Sequence, residues 1–343
     1  AERMKKVALL CQEYKGDGGL VVVSSAMAGV TDRLVELIRH AEAKRYKEIR
    51  SGVASLEEIH NGALAEFGDP EMLRATFQTF KDLHHALLEL LIAAAHLGEV
   101  TARARDRVAC AGEKFAVRIL GVAMNHAGLG SRTFDADTFL ETDGQFGSAN
   151  PLEGVAQRTI RSALMPLISD DIVPIVTGFC GRAPDGSTTT LGRGGSDLSA
   201  TTIGAALDAQ EVVLWSDVDG VYTADPRVVP DARPIPHLNF REAAEMSFYG
   251  AKVLHQRTMV PIATRGIPVY ARNTFNSGAP GTLIDGHFTL GSHPVKACTA
   301  VRSQVIVSVE GKGMAGVPGI AGRIFSALAG ARINVTMISQ SSS

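Results

Sequence analysis

Residues 188–200 read Thr-Thr-Thr-Leu-Gly-Arg-Gly-Gly-Ser-Asp-Leu-Ser-Ala and hold the densest chemistry in the chain. Three β-branched hydroxyl residues lead into a glycine turn that carries Arg193. Ser196 and Asp197 follow, and the apolar residues 200–207 read as a helix. Glycine lets the backbone approach a ligand with no Cβ in the way. The start of a helix presents free N–H groups and the positive end of a dipole. Such a place suits a phosphate or a carboxylate, and Arg193 can grip a carboxylate through two N–H bonds. A strand, a glycine turn and a helix can also be simple loop closure. Arg, Ser and Asp packed into the same turn favour the anion site.

Other candidates are weaker one by one. Residues 215–227 (Trp-Ser-Asp-Val-Asp-Gly-Val-Tyr-Thr-Ala-Asp-Pro-Arg) follow an apolar run. Asp217 and Asp219 share one face if the strand continues, as a magnesium pair would require. Asp219-Gly220 and Asp225-Pro226 instead read as turns, the favoured alternative. Tyr222 offers a flat face and Arg227 a cation, both useful to a nucleotide and both equally suited to a packed surface. Lys252 lies in an otherwise apolar helix start. It reads as a solvated lysine or, in the company of the other pieces, as a phosphate contact. Glu113, near the head of an amphipathic helix, is either a dipole partner or a receiver for a substrate ammonium. There is no GxxxxGK[ST]. A GxGxxG at 311–316 has no acidic residue after Glu310 to meet a ribose, and Pro318 interrupts the approach to the helix, so the dinucleotide reading fails.

These residues need elements to position them. Residues 20–23 form a short apolar run ending in Ser24 and Ser25, which suits a buried parallel strand. Thr31 then reads as the cap of a helix with Leu34, Leu37 and Ile38 on one face. The chain is mostly helical to about residue 126. Strands return at 173–177 and 212–215, with helices such as 160–168 between them. Alternating strands and helices indicate an α/β fold around a largely parallel sheet. Ligands of such sheets lie outside the carboxyl ends of the strands. Residues 25–31, the segment from Gly178, 193–197 and 216–227 all fall there. Beyond residues 282–284 comes a Gly/His/Pro-containing linker, then a strand at 305–309, a helix at 319–328 and a strand at 333–338, a separate small β–α–β unit.

At 343 residues the chain suits one large domain or two unequal ones. With 45% hydrophobic and 20% charged residues, disorder is not expected. A net charge of −2 and a pI near 6.6 argue against nucleic acid. No run approaches the roughly 20 apolar residues of a membrane span. Cys11, Cys110, Cys180 and Cys298 are far apart with no CxxC, and the ten His show no metal-ligand spacing. A reducing, cytoplasmic setting follows as the simplest assumption. The chain opens at Ala1 inside a helical pattern and stops at Ser343 just after a strand, so it reads as truncated at both ends.

Taken together, residues 25–31 (Ser-Ala-Met-Ala-Gly-Val-Thr), Gly112 with Glu113, 188–200, 215–227 and 250–255 (Gly-Ala-Lys-Val-Leu-His) resemble the aspartate kinases of the amino acid kinase superfamily. The similarity covers about residues 1–286, in the right order. Arg272-Asn273-Thr274 and residues 279–284 look most like the kinase half of bifunctional aspartate kinase–homoserine dehydrogenases. The resemblance implies an amino acid kinase domain at 1–286 with helices on both faces of its sheet and its first strand missing. It also implies a linker at 287–300 and the start of an α+β ACT regulatory unit at 301–343. The implied reaction phosphorylates the β-carboxylate of L-aspartate with MgATP, the magnesium carried by the nucleotide and not by a protein site.

By the same resemblance, Arg193 grips the α-carboxylate and Glu113 the ammonium. Ser25 and Thr31 orient the β-carboxylate, and Gly194, Gly195 and Ser196 face the transferred phosphoryl. Asp197 organises cations and substrate. Ser216, Asp217, Tyr222, Arg227 and Lys252 hold the nucleotide. Met314, Ile320 and Asn334 fall near the pocket for an amino-acid effector, and a homo-oligomer is implied. The family's opening Lys-Phe-Gly-Gly-Thr-Ser segment, whose lysine meets the phosphates, precedes the first residue here, and Ser216 stands where many relatives have threonine. The alternatives are another amino acid kinase, or a non-catalytic amino-acid-sensing fragment.

Overall fold

Short apolar runs alternating with amphipathic segments give helices packed on narrow sheets. The computed structural model describes residues 2–16, 18–250, 255–289, 295–311 and 318–339. They divide into two compact units, Ala1–Ala300 and Val301–Ser343. The first unit begins with α1 (Glu2–Lys15), β1 (Val22–Ser24), α2 (Val30–Glu42), α3 (Tyr46–Ala65), α4 (Arg74–Leu97), α5 (Ala102–Ala109), α6 (Ala111–His126) and β2 (Ser131–Phe134). It continues through α7 (Glu153–Ser169), β3 (Val173–Thr177), β4 (Cys180–Arg182), β5 (Thr188–Thr190), α8 (Gly195–Leu207) and β6 (Val212–Ser216). The rest is β7 (His237–Asn239), α9 (Phe240–Phe248), α10 (Gln256–Ala263), β8 (Val269–Asn273) and β9 (Thr282–Asp285).

β3 is the organising strand of the first half. All five of its residues are buried, the signature of a parallel strand covered on both faces. It pairs in parallel with β1 on one side and β2 on the other. Val173 and Ile175 pack with α1 and α6, whereas Val176 packs with α7 and α8, so helices cover both faces. The second half is a mixed sheet in the order β6-β8-β9-β7, with only β8 and β9 antiparallel. β4 and β5 form a separate antiparallel pair. Thus the strands make three sheets, with α8 leading from β5 of the small pair into β6 of the four-stranded sheet. α1 also touches both halves: it packs on the first core, while Tyr14 meets Trp215 edge-on and accepts a hydrogen bond from Arg272.

Several boundaries differ from the sequence expectation. α2 starts at Val30, after Gly29 in the left-handed region, and Thr31 is an exposed first-turn residue, not the cap. The residue expected to cap is displaced because glycine takes φ 79° there without a Cβ penalty. The first strand is half-buried and begins at Val22. α8 starts five residues earlier than its apolar stretch, at Gly195, because Gly194 turns the chain directly into the helix.

The linker region is pinned to the first unit. Lys296 pairs with Glu242 at 2.8 Å, Ala297 packs against the core of the second half, and Cys298 N donates to Thr223 O at 2.8 Å. In the second unit α11 (Ile320–Gly330) is the regular element and buries none of its residues. Residues 305–309 and 333–338, expected as strands, are exposed and form no ladder among the described residues. A strand is defined by a pairing neighbour, and apolar patterning alone does not supply one. Thr336 does reach Gln304 by a 3.3 Å hydrogen bond.

Candidate active site

Because β1 and β3 are parallel, their carboxyl ends lie at one edge, and the loops leaving them converge. Gly178 N donates to Ser24 O at 2.9 Å. A Cβ on Gly178 would stand 2.8 Å from both Cβ and Oγ of Ser196, so only glycine lets the end of β3 approach the start of α8. Gly194 has φ 69°, and a Cβ there would lie 2.6 Å from Cβ of His255. The turn therefore delivers Arg193 exposed at its tip and sets Ser196 and Asp197 in the first helical turn.

Glu113 arrives from the other side. A Cβ on Gly112 would fall 2.8 Å from Ala26 Cβ and 3.0 Å from Val30 Cγ1, so α6 beds directly on the loop after β1. Glu113 is 3% exposed. Its Oε1 accepts from Ala26 N at 3.3 Å, while its buried Oε2 has no partner. Burial pushes its carboxyl up to about 7 against the lowering effect of its backbone hydrogen bonds. Burial likewise raises Asp197 to about 6. Two carboxylates withdrawn from water, one with an unpartnered oxygen, are suited to meet a cation. Ser25 is exposed beside Ala26. Glu113, the loop after β1, Gly178 and Ser196 thus form one continuous set of contacts.

The candidate nucleotide residues form a second group, on β6. Ser216 Oγ accepts from Val218 N at 3.3 Å and caps the bend that follows the strand. Asp217 is exposed. Asp219 Oδ1 accepts from Asn273 Nδ2 at 2.8 Å and Asn276 Nδ2 at 3.1 Å, which supports the turn reading over a magnesium pair. Tyr222 bridges to Pro234. Arg227 is exposed and bonds the Asp225 carboxylate through Nε and Nη2 at 2.9 and 2.7 Å, within its own turn. Lys252 and Met314 lie outside the described residues. Ile320 opens α11 half-buried, and Asn334 is exposed, both in the second unit. Among the described residues, no three His, Cys, Asp or Glu side chains converge on a metal position.

Sequence reasoning missed the residues that brace the glycine turn. Arg257 donates to Leu191 O at 2.8 Å, Ala149 O at 2.7 Å and Asn150 Oδ1 at 2.8 Å. Asp137 accepts from Thr188 Oγ1 at 2.7 Å and pairs with Lys114 at 2.8 Å. Asp106 is buried and takes three hydrogen bonds. No local pattern marks these residues. Asp106 sits among Arg103, Arg105 and Arg107 and reads as a solvated charge.

Comparison with known proteins agrees with this geometry. A model of the amino acid kinase family matches residues 1–273, and an ACT domain model matches residues 307–343. The chain is 36% identical over its whole length to bifunctional aspartokinase/homoserine dehydrogenase 1 (chloroplastic) of Arabidopsis thaliana and covers 38% of that protein. It is 34% identical to the bifunctional aspartokinase/homoserine dehydrogenase of Haemophilus influenzae, covering 42% of it. It is also 34% identical to aspartokinase 1 (chloroplastic) of Arabidopsis thaliana, covering 59%. The chain therefore spans less than two-thirds of these relatives. Among solved structures, E. coli aspartokinase III in complex with aspartate and ADP (R-state) superposes with a TM-score of 0.83 at 30% identity. That match covers 98% of this chain and 73% of the other.

Proposed function

The chain belongs to the amino acid kinase family, and from that premise we propose that it carries the kinase part of an aspartate kinase. In this reading MgATP phosphorylates the β-carboxylate of L-aspartate to give 4-phospho-L-aspartate. The observation that carries the proposal is Glu113, buried with one oxygen unpartnered at the strand edge that also presents the Arg193 turn. A zwitterionic amino acid needs a partner for each of its charges. Glu113 receives the ammonium, and Arg193 receives the α-carboxylate in a two-pronged grip. Ser25 and Thr31 orient the β-carboxylate. The printed descriptions of the relatives support the same substrate: aspartate and ADP occupy the E. coli enzyme.

The step needs no strong base, because a carboxylate is already a nucleophile. An oxygen of the β-carboxylate attacks the γ-phosphorus, the bond to the bridging oxygen breaks, and ADP leaves with that electron pair. Catalysis is positioning and neutralisation of charge on the phosphoryl oxygens. The N–H groups of Gly194, Gly195 and Ser196 at the start of α8 serve that end, and Asp197 organises the cations around it. Ser216, Asp217, Tyr222, Arg227 and Lys252 hold the nucleotide, for which Arg227 must exchange its Asp225 partner for phosphate. In this reading magnesium comes with the nucleotide, where it would neutralise charge on the phosphates.

The ACT match supports an amino-acid effector bound by the second unit, with Met314, Ile320 and Asn334 as its candidate contacts, in a homo-oligomer. The test is aspartate-dependent ADP release from MgATP, with the acyl phosphate trapped by hydroxylamine. Turnover with L-aspartate and none with L-glutamate is expected. Arg193→Ala is expected to abolish aspartate use while nucleotide binding persists. Unchanged aspartate affinity in that variant would sink the substrate assignment.

A further inference from the structure

We propose that Asp106 is a positioning residue for the amino-acid substrate: through α5 it sets the separation between the Arg193 turn and Glu113. The inference rests on the aspartate kinase reading above. Asp106 is 4% exposed, and among the described residues no lysine or arginine forms an ion pair with it. A carboxylate so buried persists only where protein donors replace water. Here there are three. Oδ2 accepts from Gly147 N at 2.9 Å and Thr190 N at 2.7 Å, and Oδ1 accepts from Thr190 Oγ1 at 3.0 Å.

What these donors hold matters more than their number. Thr190 ends β5 two residues before Gly192, at the root of the turn that carries Arg193. Gly147 lies flush against the same turn: a Cβ on Gly192 would sit 3.0 Å from Gly147 O. Thr190 O in turn accepts from Ala149 N at 2.9 Å. Asp106 therefore clamps both the root and the flank of the anion turn to α5. α5 runs through Cys110, whose Sγ reaches Thr189 O at 3.7 Å, into α6 and Glu113. The group for the α-carboxylate and the group for the ammonium are thus fixed to one helical corner. Asparagine at 106 can keep this set, its Oδ1 accepting from the two backbone N–H groups and its NH2 donating to the Thr190 hydroxyl, whereas alanine removes all three bonds.

The test uses the full-length protein, with steady-state kinetics and amide hydrogen exchange side by side. Asp106→Ala is expected to raise KM for aspartate by about tenfold while KM for MgATP stays within about twofold. Thr190→Val, which removes one of the three bonds, is expected to raise KM for aspartate by a smaller factor, and Thr190→Ser to restore it. Hydrogen exchange needs no turnover. In Asp106→Ala the peptide over residues 191–197 is expected to exchange faster while α7 and β3 keep their protection. Equal increases in both KM values, or unaltered exchange over 191–197, would overturn the proposal. If Asp106→Ala does not fold, Thr190→Val against Thr190→Ser decides by the same two readouts. A wild-type protein that releases no ADP with aspartate would overturn the activity reading alone, and the exchange comparison would still decide the role of Asp106.

Discussion

Glu113 and Asp197 both stand third in their helices, where the helix dipole favours the charged form, yet burial outweighs it and raises both carboxyls. The sign for stability follows from linkage. Below pH 4.5 Glu113 is protonated whether the chain is folded or not. Between 4.5 and about 7 the unfolded chain ionises first, so stability falls with rising pH, by up to about 3 kcal/mol for this group. Asp197 adds a loss of the same sign between 3.8 and about 6. Glu113→Gln is therefore expected to be more stable than wild type at pH 8 and about equal at pH 4, as urea unfolding at the two pH values will show. An ammonium ion must displace the proton from Glu113. Aspartate binding at pH 7 is expected to release about half a proton per site, read by calorimetry in buffers of different ionisation enthalpy. In Glu113→Gln that release should vanish. Buffer-independent heats in the wild type would remove Glu113 from the ammonium site.

At the scale of elements, the site depends on how closely β3, α8 and α6 approach. Gly178→Ala places a methyl 2.8 Å from Ser196 Cβ and 3.0 Å from its Cα, and backbone cannot swing aside as a side chain can. It is expected to cost about 1–3 kcal/mol and to lower kcat/KM by at least about tenfold, measured by unfolding and by coupled assay. Gly154→Ala in α7 is the control. Nothing lies within 4 Å of its added methyl, so activity should hold and stability should rise by up to about 1 kcal/mol. The elements that sequence could reveal are those with a long period or a full apolar run: the helices to residue 126, α7, β3 and β6. β2, β4, β7 and β8 are three to five residues long, too short for alternation to register. Among the candidate site residues, Arg193, Asp197 and Glu113 stand out in the sequence because a glycine turn or a helix head marks them. Asp106 and Arg257 do not, because their partners lie 84 and 66 residues away along the chain.

At the scale of the molecule, the segment after β9 is fastened to the body that carries the loop proposed to hold the nucleotide. His237 bonds both Asp285 at 2.8 Å and Thr289 at 2.6 Å, Lys296 pairs with Glu242, and Cys298 N meets Thr223 O. Thr223 adjoins Tyr222, so loosening this strap should disturb nucleotide before amino acid. Lys296→Ala is expected to raise KM for MgATP by about threefold and leave KM for aspartate unaltered; the reverse pattern would disconnect the strap from the loop. The corner from Asp106 to Glu113 joins equally distant stretches, meeting residues 147 and 190 at one end and 26 at the other. Each residue of a helix turns the chain by about 100°. One residue inserted between those two carboxylates would swing Glu113 off Ala26 while Asp106 stayed clamped. Exchanging the letters between Asp106 and Gly112 is thus a smaller hazard to this corner than an insertion or a deletion: what the site holds there is a length.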